Sequence, residues 1–265
     1  MRRLILALAT LAPALALADE PLPFAGGELT ITETTDGDKV LAFSGQGLAR
    51  DWLLFFDREE EVAGRSVMLF SASAGGNACG ADAVIVWKPD DGPVRGERFG
   101  DCGAPTPASD GTRLVFVPHV MPGDTAEVTE WTPESGFRLA GVLSFRPQPG
   151  TGWADLAASP PGHPVEFFDN SAFYAEAVRV LGDDLAAVAT ALSVSSEPEM
   201  LKDGFYHARG CIPHACTVND GFVAVDVRAG KAWFAQMTDD GGFRRWPEGD
   251  WPADATAAFD VAFER

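Results

Sequence analysis

The segment Cys211-Ile212-Pro213-His214-Ala215-Cys216 constrains the fold more than any other feature of this 265-residue chain. Two cysteines can close so short a loop, and Pro213 narrows its backbone by locking φ, which leaves His214 on a stiffened, protruding turn. A cross-link of this size does little for global stability. Chain entropy gives roughly 2 kcal/mol for a six-residue loop, against about 3.4 kcal/mol for the longer loop from Cys79 to Cys102. Preorganisation is the expected role, because a side chain fixed before encounter avoids the ordering cost that a flexible loop meets on binding.

The disulfide reading rests on export. Arg2 and Arg3 precede the apolar run 4–17, and Ala16 and Ala18 bracket a cleavage site before Asp19. Residues 1–18 therefore read as a secretory signal peptide, and the mature protein as periplasmic. The run is shorter than the roughly 18 apolar residues of a membrane helix, no later stretch reaches that length, and no cysteine follows the cleavage site to carry lipid, so no membrane anchor is expected. Four cysteines in an exported chain favour disulfides and allow three connectivities. Sequential pairing, Cys79 with Cys102 and Cys211 with Cys216, is expected because each bond is then local. The competing reading places zinc between Cys211, Cys216 and either His207 or His214. Close cysteine pairs in zinc sites are usually two to four residues apart, and here the four between them include a proline, so neither a metal nor a cofactor is expected.

The formal charge of −19 becomes −21 once Arg2 and Arg3 are removed with the signal. Such a surface repels nucleic acid and anionic lipid, which excludes both as expected partners. It steers a basic protein toward the chain, and it equally serves to keep an exported protein soluble. With 46% hydrophobic residues a substantial core is available.

The fold class read from the sequence is α+β: a β-rich N-terminal sandwich or barrel-like domain, followed by an antiparallel sheet with flanking helices. Residues 19–146 carry short apolar or alternating runs between turn residues. Runs 29–33 and 40–43 flank Asp36-Gly37 as a hairpin, and 67–70, 83–87, 114–117, 128–131 and 137–145 predict further strands. No catalytic set assembles there, and the role of this domain is open. Residues 147–164 hold Pro147, Pro149, Gly150, Gly152, Pro160, Pro161, Gly162 and Pro164, a density of breakers suited to a linker, although Trp153 and Leu156 suggest one that docks. Residues 165–265 form the second domain. Phe173, Ala177, Val178 and Leu181 repeat at helical spacing after possible caps at Asn170 or Ser171, Gly182 interrupts, and Asp183 can cap a second segment through Leu185, Val188, Ala189 and Leu192, ended by Glu197-Pro198. Strands are expected over 205–209, 222–228, 231–237 and 243–246, with a last one over 256–263. The cysteine loop then sits between two strands.

From residue 165 onward the order of elements and the loop motif resemble the exported bacterial inhibitors of vertebrate lysozyme, the Ivy family. In that family a helical stretch precedes a strand, a Cys-Lys-Pro-His-Asp-Cys loop and a hairpin. The counterparts here are 173–192, 205–209, Cys211 to Cys216, and 223–236. The resemblance implies a partner, a basic c-type lysozyme, whose cleft the closed loop enters so that His214 contacts the two catalytic carboxylates. Two carboxylates favour a charged imidazole, and each accepts one ring N–H. Blocking them removes general acid and nucleophile together. This sequence departs from the family at Ile212, where the family has lysine, and at Ala215, where it has aspartate. Both changes bear on potency and target.

The other candidates read as structural. His207 lies in a strand beside Tyr206 as a packing residue, His119 in a loop, and His163 in the linker facing solvent. Acidic runs such as Glu59-Glu60-Glu61 read as solvated, and Trp233, Trp246 and Trp251 as core or sheet cover. No nucleophile elbow, phosphate loop or close-spaced redox cysteine pair occurs, so the reading is of a protein that is not an enzyme. The alternative function is a periplasmic binding or scaffold module in which the cystine loop is merely structural. Oligomeric state is not readable from the sequence.

Overall fold

The computed structural model describes residues 20–76 and 79–264, so the signal-peptide reading of residues 1–18 lies outside them. The chain divides into two compact units between Ala104 and Pro105.

The first unit is built from two four-stranded antiparallel meanders. One contains β1 (Leu22–Phe24), β2 (Gly27–Glu33), β3 (Lys39–Phe43) and β4 (Gln46–Asp51); the other contains β5 (Leu53–Val62), β6 (Arg65–Ser73), β7 (Asp82–Trp87) and β8 (Arg95–Phe99). Leu29, Ile31 and Leu41 from the first sheet share one core with Leu54, Met68, Phe70, Val84 and Val86 from the second. Two sheets that bury a common layer form a sandwich, and among the described residues neither closes into a barrel. The β2–β3 hairpin turns at Asp36-Gly37, where Gly37 has φ +90° and its amide donates to the Thr34 carbonyl at 3.0 Å. The acidic run Glu59-Glu60-Glu61 lies in the edge strand β5, where charge discourages pairing with another chain. Cys79 and Cys102 are bonded with their Cα atoms 4.6 Å apart. Beside them the buried Asp82 accepts from Arg98 Nε at 2.7 Å and from the Gly103 amide at 2.9 Å.

The second unit opens with an antiparallel sheet of β9 (Ala108–Ser109), β10 (Leu114–Phe116), β11 (Thr125–Thr132) and β12 (Gly136–Ser144). The breaker-rich stretch that follows is folded: α1 spans Trp153–Ala158 and a 3-10 helix spans Pro164–Asp169. Leu156, Phe167 and Phe168 are buried, and the Trp153 ring lies 6.0 Å from that of Phe173. His163 does more than face solvent. Its Nδ1 accepts from the Val165 amide at 3.3 Å, capping the 3-10 helix.

Next come α2 (Ser171–Leu181) and α3 (Leu185–Thr190), joined by a 3-10 turn over Gly182–Asp184. Asn170 caps α2 through bonds from the Ala172 and Phe173 amides. Asp183 does not cap α3, because the 3-10 turn carries the chain straight into it. The neighbouring Asp184 pairs with Arg244 at 2.8 Å. The helix also stops at Thr190, short of Glu197-Pro198, since residues 194–195 already pair in the sheet.

That sheet runs β13 (Val194–Ser195), β15 (Phe205–Cys211), β16 (Asp220–Asp226), β17 (Lys231–Met237) and β18 (Phe243–Trp246), with β14 (Glu199–Lys202) also on β15. Val223 and Val225 face a core shared with α2 and α3, while Phe222 and Ala224 face the opposite core. The second core is covered by α4 (Ala253–Ala262), where a strand was expected over 256–263. Ala255, Ala258 and Phe259 recur at helical spacing and bury themselves against β15 and β16; a two-sided sheet needs a lid on each face, and a further strand would cover neither. Trp233, Trp246 and Trp251 are buried in these two cores.

Candidate functional site

Strands β15 and β16 pair with Gly210 opposite Gly221 and Cys211 opposite Asp220, so the connection between them comprises residues 212–219. Glycine is required at both stem positions by close approach. A Cβ on Gly210 would stand 2.7 Å from Leu192 Cα, and one on Gly221 would stand 2.6 Å from the Ala191 carbonyl oxygen. The stem is pressed onto the chain leaving α3, which gives the loop a fixed base.

The Cys211–Cys216 disulfide closes the ring with its Cα atoms 4.9 Å apart. Inside it the Ala215 amide donates to the Ile212 carbonyl at 3.0 Å, which makes residues 212–215 a hydrogen-bonded turn. Pro213 holds the second position and His214 the third, with φ +64°. A positive φ at the third position after a proline is the type II pattern, normally served by glycine or asparagine. A histidine there costs on the order of 1 kcal/mol, and such strain persists only where the surroundings impose it. The ring and the stem impose it here.

Burial is graded along the loop. Cys211 is buried, Ile212 and Ala215 are half-buried, and Pro213, His214 and Cys216 are exposed. Among the described residues the His214 ring makes no hydrogen bond, so it stands at the tip with both nitrogens free.

Two residues that sequence reasoning did not single out hold the far side of the loop. Asp220, 1% exposed, accepts from the Thr217 amide at 2.7 Å through Oδ1. Its Oδ2 accepts from Arg209 Nε at 3.2 Å and Nη2 at 2.5 Å. Arg209 also lies over the Phe263 ring, 4.8 Å from its centroid. One carboxylate thus ties the loop exit to β15 and to the chain after α4. The available signal was an aspartate three residues after Thr217, the spacing of a side chain that receives a backbone amide.

His207 lies outside the loop, 5% exposed on β15, with its ring 6.5 Å from Phe222. Burial pulls its imidazole below the ordinary value, partly opposed by Glu199, its neighbour across the strands. Cys211 and Cys216 are bonded to each other, which leaves the competing zinc reading without a thiolate. His119 is an exposed loop residue, as read.

Comparison with known families divides the chain later than the two compact units do, because the first match runs past Ala104 through β9 to β12. Residues 172–265 match the family described as inhibitor of vertebrate lysozyme (Ivy), and residues 25–144 match the family described as Y4bG N-terminal domain. The class is therefore a two-part protein whose C-terminal part is an Ivy domain carrying the cystine loop. The uncharacterized protein y4bG of Sinorhizobium fredii (strain NBRC 101917 / NGR234) is 30% identical over 205 residues, which cover 74% of this chain and 73% of that protein. The chain belongs to the y4bG family.

Proposed function

We propose that this protein is an exported, non-enzymatic inhibitor of c-type lysozyme, acting in the periplasm by inserting the loop Cys211, Ile212, Pro213, His214, Ala215 and Cys216 into the enzyme's cleft. The observation that carries the reading is the pose of His214: exposed, unbonded, and fixed at a strained backbone angle at the tip of a braced ring. A side chain immobilised before encounter spends little ordering entropy on binding. An imidazolium with two free N–H groups donates one to each of two carboxylates, and such charge-assisted bonds are strong where water is excluded. The match of residues 172–265 to the Ivy family supports the target class.

The departures from the family define the chemistry left to the loop. Ile212 offers apolar surface in place of a cation, and Ala215 removes the carboxylate beside His214. Binding then rests on the imidazole, the loop backbone and the general attraction of a strongly acidic mature chain for a basic enzyme.

Titration of a vertebrate c-type lysozyme with the purified protein tests the reading. Loss of lytic activity at one equivalent, relieved by His214→Ala, is expected. Undiminished lysis at excess protein, or equal inhibition by His214→Ala, overturns it.

A further inference from the structure

Beneath the cystine loop lies a cleft of about 460 Å³, bounded by residues 194–199, by β15, by Cys211 and Cys216, and by Val261 and Ala262 at the end of α4. We propose that this cleft is a second binding site, a receptor for one cationic side chain of the lysozyme whose active site the His214 loop occupies; the identity of the donor rests on the function proposed above.

The argument begins with charge. Glu197 and Glu199 line the cleft and are exposed. Its one cation among the described lining residues, Arg209, is already committed to Asp220 and stacked on Phe263. That ion pair is neutral as a unit, so the two glutamates leave the cleft with an uncompensated negative charge. Anions are excluded by the same carboxylates.

A second, independent observation comes from His207. It lines the cleft while only 5% exposed, and neither ring nitrogen has a hydrogen-bond partner among the described residues. The side chain is buried but its ring nitrogens are not sealed off, so they open onto the cleft and are left to water or to a guest. Burial keeps this imidazole neutral, and a neutral imidazole presents one acceptor nitrogen. One acceptor at the base and two carboxylates at the rim match a group with several N–H donors and a positive charge, as in the ends of arginine and lysine. The volume lies in the range of sites that take a small organic group.

Position connects the cleft to the loop. Cys211 and Cys216 belong to both, so a protein held by His214 presents the rim of its own groove to Glu197 and Glu199. A basic enzyme supplies cations at such a rim, and a desolvated charge pair there adds specificity as well as affinity.

The test has two arms on the full mature protein. In the first, N-acetyl-arginine methylamide is titrated while the His207 ring resonances are followed by NMR, with the uncharged citrulline analogue as control. A saturable shift at millimolar concentration is expected from arginine alone, and it should vanish in Glu197→Gln/Glu199→Gln. In the second, the lysozyme dissociation constant of that variant should rise about tenfold, while lysis is still fully blocked at saturating protein through the untouched loop. Absence of a shift in the wild-type protein overturns the site. A shift without any change in lysozyme affinity overturns the partner and leaves a site for free cations. If the wild-type protein binds no lysozyme, the proposed function fails while the first arm still decides whether the cleft takes a guanidinium.

Discussion

The two disulfides are built for different ends. Cys79–Cys102 closes a segment that contains all of β7 and β8, beside a buried Asp82 that gathers Arg98 and Gly103 around the junction. Cys211–Cys216 closes six residues at an exposed tip whose base is already fixed by Gly210, Gly221 and Asp220. The first restricts a long stretch of unfolded chain and acts on stability; the second restricts the pose of one side chain and acts on binding. Two chemically identical cross-links thus differ by what the surrounding chain has left undetermined.

Removing each bond is the most direct way to break this comparison. Replacing Cys79 and Cys102 by alanine should cost about 3 kcal/mol, read as lost amide-exchange protection in β7 and β8, with lysozyme inhibition unchanged. Inhibition lost along with that protection would erase the distinction. Asp220→Ala should cost about 2 kcal/mol in the C-terminal unit, less than a fully buried pair because Arg209 is 41% exposed, and should also weaken inhibition by freeing Thr217. His214→Ala should leave the melting temperature unchanged and weaken lysozyme binding about thirtyfold, the equivalent of about 2 kcal/mol. Replacing Cys211 and Cys216 by alanine should resemble His214→Ala in binding while barely altering exchange in β7; a large loss of protection there would contradict the division of roles.

The smallest effect concerns pH. The His207 imidazole titrates lower in the folded protein than in the unfolded chain because burial penalises its charged form. As pH falls through about 6.5 the unfolded chain takes up the proton first, so stability present at neutral pH is lost toward acid. His207→Gln should flatten that part of the profile, measured by urea unfolding between pH 7.5 and 5. An unchanged slope would mean that the ring is hydrated through the cleft.

Much of the architecture was legible because its signals are local. The Asp36-Gly37 hairpin, the α2 stripe with its Asn170 cap, and the alternation of Val223, Val225 and Phe222 each follow from the period of one element. Edge strand β5 escaped notice because Glu59-Glu60-Glu61 reads as solvated charge, which is also what an exposed strand edge carries. The pattern over 256–263 does not by itself separate helix from strand, because Ala255, Ala258 and Phe259 show their spacing only when the covered face of the sheet is known. His163 passed for a linker residue because a helix cap is defined by the backbone that follows it.

By itself the sequence determined where a rigid turn must lie: a proline and two cysteines restrict the local backbone whatever surrounds them. Which way that turn points, and what stands beneath it, came only from tertiary packing. Gly210 and Gly221 receive the chain leaving α3, Asp220 binds Thr217 and Arg209, and His207 comes to rest under the cystine. These contacts join residues brought together by sheet pairing and helix docking, and a distance of that kind is set by the whole fold rather than by any stretch of chain.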